Sequence, residues 1–336
     1  MKVLHITECY DGGVGHALDT RVRATPELEH FLMWSGLDDP ADNCDFSEVM
    51  QLPDGLLARV RAVRATVKRI QPDVVHAHSS WAGVYARIAP LSVPVVYEPH
   101  CFKFDDPDLH PVARLAFRAA ERVLARRTRV FGSLSSHEDF LARSLGSHVR
   151  TVRIPNVPTV PIAGPGSSFH GSATKAVMIG RIAAQKDPQF FADVAAVIGS
   201  AAHPLESVWI GDGTDEGKAL LRDAGVRVTG WLSPESIVNE LHNAVYVHSA
   251  RYEGFPLSIL DAAAQRIPIV ARCIPPLEEI DIAKAVTPSE VAALALALAE
   301  PGAAQDRAIK VSTELLDKYN VQGLHDALTR LYEMAR

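Results

Sequence analysis

The segment HSARYEGFPLSILDAAAQRIPIVA, over 248–271, concentrates polar groups at a spacing that suits work on a phosphorylated sugar. A strand-like run delivers Glu253, Gly254, Phe255 and Pro256, after which Leu257, Leu260 and Ala264 recur at helical spacing. Pro256 suits a first helical turn, so Glu253 falls just before a helix N-terminus whose free N–H groups can hold a phosphate. A carboxylate only accepts hydrogen bonds, which fits it to the hydroxyls of a sugar. Asp261, eight residues on, lies two turns down the same helix and can face the same ligand. The competing reading makes Glu253 a helix cap and Asp261 a surface acid. In IGRIAAQKDP (179–188), Arg181 and Lys186 stand five apart after a strand. Two cations there would neutralise a diphosphate leaving group, or else decorate a solvated loop. In TECYDGGVGHAL, Gly12, Gly13 and Gly15 allow close backbone approach ahead of a helix opening near His16, a further seat for a phosphate. A dinucleotide fingerprint fails there, because Leu18 stands at the third glycine position and no acid follows a second strand at the required distance.

Other candidates are weaker. His76 and His78 alternate onto one face of a strand end, a start for a metal site, but no third ligand has suitable spacing. Asp38-Asp39 and Asp105-Asp106 are adjacent carboxylates in polar, Pro-containing loops and read as turns rather than as a metal site. Trp34, Trp209 and Tyr246 lie inside strand patterns and read as core.

These loops need rigid elements behind them, and the sequence supplies two sets. Strand-like runs at 2–7, 30–34, 73–78, 93–98, 129–134 and 149–154 alternate with helical patterns such as 56–70, 111–126 and 136–145. Residues 155–173, rich in Pro, Gly and Ser, carry no periodicity and read as a linker. The alternation restarts with runs at 175–180, 207–211, 226–230, 244–249, 267–272 and 284–286, and closes with helices near 303–318 and 321–335. This is α/β architecture with two doubly wound parallel sheets, in domains spanning 1–154 and 174–318. A C-terminal helix within 319–336 has return to the first domain as one option. Ligands of such sheets bind beyond the carboxyl ends of the strands, so two domains facing each other form a cleft lined by those loops.

Composition narrows the class. At 336 residues, 47% hydrophobic and 22% charged, the chain can bury a sizeable core, and disordered and collagen-like classes are excluded. Cys9, Cys44, Cys101 and Cys273 lie far apart, which favours a reducing compartment. No signal peptide or membrane span is evident, so a cytoplasmic protein is expected. A net charge of −6 argues against nucleic acid, yet residues 110–153 hold nine arginines against three acids. Among them Arg114, Arg118, Arg122 and Arg126 share a helix face, with Leu115, Ala119 and Val123 free to pack on the sheet.

Taken in order, four blocks resemble the family four glycosyltransferases, retaining enzymes of the GT-B fold: the Gly12-Gly13 turn, the H-A-H and E-P-H strand ends (His78, His100), G-R-x4-K, and E-G-F-P-L with a second acid after seven residues. The family pattern has Glu where this chain has Asp261, one methylene shorter. The resemblance implies that Arg181 and Lys186 clamp the donor diphosphate, that Glu253 holds the donor sugar's hydroxyls, and that Asp261 contacts the ribose. It further implies that His100 lies near the reacting centre, that backbone N–H groups of Phe255, Leu257 and the Gly12-Gly13 turn bind phosphate, and that Trp231 and Leu232 flank the nucleobase. The implied reaction moves a hexose from a nucleoside-diphosphate sugar, with UDP favoured, to a glycan, a lipid-linked glycan or a small molecule, needing no cofactor or metal. Retention in the family is attributed to front-face attack in which the leaving phosphate takes the acceptor's proton. Related enzymes extend lipid-linked glycans, so the arginine face (114, 118, 122, 126) is a candidate contact with the inner membrane surface. The alternatives are a nucleotide-sugar epimerase or hydrolase of the same fold and, less favoured, a dinucleotide-dependent oxidoreductase.

Overall fold

The computed structural model of the chain describes every residue except 37–38, 41–44, 165–168 and 170; Asp38, Cys44 and part of the 155–173 stretch lie outside the described residues. The chain forms two units, Met1–Asn156 with Val321–Arg336, and Val157–Asn320.

The first unit is built on a seven-stranded parallel sheet in the order β3-β2-β1-β4-β5-β6-β7. Its strands are β1 (Lys2–Thr7), β2 (Glu29–Trp34), β3 (Glu48–Gln51), β4 (Val74–His78), β5 (Val95–Glu98), β6 (Val130–Ser133) and β7 (Thr151–Arg153), and its helices are α1 (Gly12–Ala24), α2 (Leu56–Ile70), α3 (Ser80–Arg87), α4 (Pro111–Leu124) and α5 (Ser136–Arg143). Edge strand β3 gives no signal in the sequence patterns, being four residues with no fully buried side chain. Strand alternation sorts the central strands into two unlike faces. Leu4, Ile6, Val75, Ala77, Tyr97 and Phe131 join Val63 and Val67 of α2 in one apolar cluster. The residues between them are His5, His76, His78 and Glu98, all fully buried on the opposite face. Register places His5 beside His76 and His78 beside Glu98.

Two expectations for this unit change. Helix α1 opens at Gly12 rather than near His16, so Gly12, Gly13 and Gly15 form its first turn. Leu115, Ala119 and Val123 do not pack on the sheet: Leu115 is 69% and Val123 61% exposed. Helix α4 is turned the other way because Glu121 faces inward, pairing with Arg87 at 3.0 Å and with the Tyr97 hydroxyl at 3.3 Å.

The second unit has a six-stranded parallel sheet, order β10-β9-β8-β11-β12-β13. Its strands are β8 (Lys175–Ile179), β9 (Glu206–Ile210), β10 (Arg227–Val228), β11 (Ala244–His248), β12 (Ile269–Arg272) and β13 (Ala283–Ala285). Around them lie α6 (Pro188–Gly199), α7 (Asp215–Asp223), α8 (Pro234–Leu241), α9 (Leu257–Ala264), α10 (Pro288–Ala299) and α11 (Ala303–Lys318). Helices on both faces explain why the inner strands read as apolar runs, with Trp209, Tyr246 and Val208 fully buried. The aperiodic stretch after Asn156 is not a free tether: Ala163 donates its N–H to the Ala264 carbonyl, and Thr159 bonds Asp261. Last comes α12 (Val321–Ala335), which packs on α1 and on β5–β7 of the first unit. No helix among the described residues is long and apolar enough to cross a membrane.

Candidate active site

In the second unit the site residues stand at the carboxyl ends of β8, β9 and β11. There the backbone turns so tightly that a Cβ on Gly211, at φ +140°, would lie 2.1 Å from the Gly180 carbonyl oxygen. Trp209 donates its indole N–H to that same oxygen at 2.8 Å, which pins the loop leading into Arg181. Arg181 is exposed and makes no ion pair among the described residues. Lys186 instead turns onto Glu253, the two forming an ion pair, and Gln185 donates to the other Glu253 oxygen at 3.3 Å. Glu253 is only 9% exposed. It does not hold the cap position of α9: Pro256 is the N-cap and makes no side-chain cap bond. The first-turn N–H groups, beginning at Leu257, therefore donate to no N-cap side chain. Phe255 turns its ring onto Tyr319, with centroids 4.6 Å apart, and Gly254 is buried beside it. Trp231 is 59% exposed and follows Gly230, whose carbonyl accepts from the Gly211 N–H at 3.0 Å; Leu232 is half-buried.

Asp261 departs from expectation. It is neither a surface acid nor turned outward: it is buried, and it accepts from the Thr159 N–H at 2.6 Å and the Thr159 hydroxyl at 3.0 Å. Burial pushes its carboxyl up to about 6 against those bonds. Both oxygens are taken up in holding residues 159–160 to α9, so the ribose contact implied by the family pattern has no support in this arrangement.

The first unit gathers a second set. Gly12, at φ +48°, and Gly13 begin α1, whose N-cap Asp11 makes no side-chain cap bond. His100 follows β5 with φ +51°, and Cys101 with φ +97°; such left-handed backbone costs non-glycine residues on the order of 1–3 kcal/mol. The strain is held by Glu138, which accepts from the Cys101 and Leu134 N–H groups, both at 2.7 Å. Burial pushes the Glu138 carboxyl up to about 7 against these two bonds. Beneath His100, Arg21 grips Glu98 through Nε at 3.0 Å and Nη2 at 2.6 Å, with both side chains fully buried. Burial alone would raise the Glu98 carboxyl, but Arg21 and His76 outweigh it and hold it well below the usual carboxylate range. Burial carries the His100 imidazole down to about 3, with Glu98 opposing.

A third residue does join His76 and His78, contrary to the sequence reading: His5 from β1. Two groups among the described residues, His5/His76/His78 and His78/Glu98/His100, bring potential ligand atoms within 4.8 Å of one another. Most of those atoms are already paired in hydrogen bonds, His5 to His78 at 3.0 Å and His78 to His100 at 3.1 Å, and Glu98 serves Arg21, whereas His76 Nε2 lies 3.0 Å from Glu98 without the alignment of a hydrogen bond. The adjacent acids diverge: Asp105 pairs with His137 and Asp106 with Lys103. A concavity lined by Arg64, Lys68, Gln71 and Pro90 lies at the amino ends of β4 and β5, opposite the strand ends that carry His78 and His100.

Sequence reasoning missed His5, His30, Arg21, Glu98 and Gln185. The signal for His5 and His30 was present, since each lies in a strand run, but only strand order reveals that His5 faces His78 and His30 faces His5.

Residues 13–157 match the Glycosyl transferase 4-like domain, and residues 173–301 match Glycosyl transferases group 1. The chain is 22% identical over 301 residues to an uncharacterised 41.2 kDa protein in the cps region of Klebsiella pneumoniae, covering 83% of each. It is 27% identical over 231 residues to the UDP-Gal:α-D-GlcNAc-diphosphoundecaprenol α-1,3-galactosyltransferase of Escherichia coli, a match to 61% of this chain and 58% of that enzyme. Among solved structures, sucrose-phosphate synthase from Thermosynechococcus elongatus aligns at TM-score 0.79 and 16% identity, over 99% of this chain and 98% of that one. Anabaena HepE in complex with UDP and glucose aligns at 0.78 and 15%, over 99% of both. At such identities the likeness speaks for the fold.

Proposed function

We propose that this chain, which belongs to the GT-B glycosyltransferases with a 4-like and a group 1 domain, moves a hexose with retention from a UDP-sugar to a glycan or lipid-linked glycan. One observation carries the reading: a nearly buried Glu253 held by Lys186 and Gln185 ahead of the end of α9, where Pro256 offers no side-chain cap, on the same strand-end surface as Arg181, which is exposed and makes no ion pair among the described residues. Arg181 and Lys186 offset the charge of the departing diphosphate, and the α9 N–H groups from Leu257 onward add to them. Glu253 accepts from sugar hydroxyls, and Trp231 and Leu232 flank the base; for the first unit, the family resemblance gives Gly12 and Gly13 a role toward the donor phosphate and His100 one toward the donor sugar.

The bond from the sugar's anomeric carbon to the phosphate oxygen breaks as the acceptor oxygen bonds to the same face. The leaving phosphate takes the acceptor's proton, so no protein nucleophile is required. The Escherichia coli relative, named for a UDP-Gal donor and a diphosphoundecaprenol acceptor, and HepE with UDP support the choice of donor and of a lipid-linked acceptor. Work at the inner membrane face fits α4, where Val112, Leu115 and Val123 stand exposed beside Arg114, Arg118, Arg122 and Arg126.

A thermal-shift screen of nucleoside diphosphates and nucleotide sugars tests the reading, since a ligand of the folded state raises Tm by mass action. UDP and a UDP-hexose are expected to raise it; no response to any nucleotide overturns the proposal. Acceptor-independent consumption of UDP-sugar would favour the epimerase or hydrolase instead. Because protein cations serve the diphosphate, turnover is expected to survive EDTA, and loss rescued by Mn²⁺ or Mg²⁺ would overturn the metal-free reading.

A further inference from the structure

Four buried imidazoles on the polar face of the first sheet are joined end to end by three ring-to-ring hydrogen bonds, His5 and His78 each engaging both ring nitrogens. His30 Nδ1 meets His5 Nε2 at 3.0 Å, His5 Nδ1 meets His78 Nε2 at 3.0 Å, and His78 Nδ1 meets His100 Nε2 at 3.1 Å. The far end has only one possible polarity. His30 Nε2 lies 3.0 Å from the Thr25 carbonyl, which can only accept, and 3.2 Å from the Thr25 hydroxyl, whose proton goes to the Arg21 carbonyl at 2.9 Å. His30 must therefore carry its proton on Nε2.

A neutral imidazole that donates from Nε2 has a lone pair at Nδ1, so each ring obliges the next to donate from Nε2 in turn. All four rings are neutral, because burial lowers the pKa of His5, His30, His78 and His100 alike. The charged and titratable groups facing them are Glu98 and His76 on the adjoining strands, Arg21 from α1, Tyr332 from α12 and, around His30, Glu27 and Asp45. His76 stands outside the series, with Nδ1 2.9 Å from the Tyr332 hydroxyl and Nε2 3.0 Å from Glu98.

We propose that His30, His5 and His78 are positioning residues which transmit the polarity of the Thr25 carbonyl to His100, fixing it as the Nε2–H tautomer and leaving its Nδ1 as a hydrogen-bond acceptor. The inference rests on the placement of His100 at the donor proposed above. There, Nδ1 takes a hydrogen bond from a sugar hydroxyl and repels a phosphate oxygen, which has no proton to offer. The series ends on a carbonyl that cannot take up a proton, so it sets a tautomer and does not conduct protons.

Histidine-selective ¹⁵N labelling of the full chain with long-range proton–nitrogen correlation reads each tautomer directly, without donor or acceptor. In the wild type, His30, His5, His78 and His100 are expected to show a protonated Nε2 and a pyridine-type Nδ1; an Nδ1–H signal at His100 overturns the proposal. His5→Phe, which keeps a ring but no nitrogen, is expected to leave His100 as a tautomer mixture. His5→Gln, whose amide can donate to His30 and accept from His78, is expected to restore the single form. A His100 unchanged by His5→Phe also overturns the proposal, and should that variant fail to fold, the wild-type spectrum alone decides. His100→Ala with undiminished affinity for UDP-sugar would remove His100 from the donor site, a failure separate from that of the tautomer series.

Discussion

Glu253 and its neighbours separate binding from folding at the level of single side chains. Because Glu253 caps nothing, Glu253→Ala is expected to lower kcat/KM by at least about a hundredfold while leaving the fold intact. An active but less stable variant would assign it a structural role. Arg181 is exposed and unpaired among the described residues, so Arg181→Ala should change stability by no more than about 0.5 kcal/mol. The same change should weaken UDP more than uridine, measured by calorimetry; equal losses would refute the clamp. That Glu253, Arg181 and Lys186 stand on loops after strands was legible in the sequence, because the apolar runs and the glycines beside them mark where each strand stops. The turning of Asp261 to Thr159 was not, because the partner comes from an aperiodic stretch a hundred residues earlier.

At the scale of elements, glycine and amphipathicity carry the predictions. Gly211→Ala would drive a Cβ to within 2.1 Å of the Gly180 carbonyl oxygen from a left-handed backbone, where nothing flexible can give way. A loss of about 2 kcal/mol or more in urea denaturation is expected, with UDP binding impaired because the same turn leads into Arg181. Helix α4 presents the opposite case. Its sequence pattern fixes an apolar stripe of Leu115, Ala119 and Val123 but not which way that stripe points. The buried Arg87–Glu121 pair decided that, leaving the stripe outward. Leu115→Glu with Val123→Glu should therefore cost little stability yet abolish sedimentation with phosphatidylglycerol vesicles, whereas Arg118→Glu should act mainly at low salt. Unchanged vesicle binding in the double variant would leave α4 as plain surface.

For the whole molecule, the histidine-lined face ties stability to pH. A histidine held neutral when folded takes up a proton only on unfolding once the pH falls below about 6.5, so stability declines from there toward the folded pKa. For His100, at about 3, the loss reaches about 2 kcal/mol by pH 5, and His5 and His78, also held well below their ordinary value by burial, add in the same direction. Glu138 acts oppositely: its raised carboxyl destabilises the fold as pH rises through about 7, and acidification relieves about 2 kcal/mol. Three histidines outweigh one carboxyl, so the urea midpoint of the first unit's transition is expected to fall between pH 7 and pH 5. A midpoint that rises would show that these rings are charged in the native state.

The alternation of strands and helices, edge strand β3 apart, the restart after residue 174 and the strand-end blocks were determined by the sequence alone, because period-2 and period-3.6 patterns and glycine at turns are local properties of the chain. The strand order β3-β2-β1-β4-β5-β6-β7 is not local. It alone sets His30 beside His5, His5 beside His78 and Arg21 against Glu98, joining residues up to seventy-seven apart. Whether a buried histidine is a core residue, a ligand or one member of a hydrogen-bonded series depends on what the neighbouring strand presents at the same height. That choice was made by tertiary packing, which removed water from one face of the sheet and set the rings of His30, His5, His78 and His100 against one another as hydrogen-bond partners.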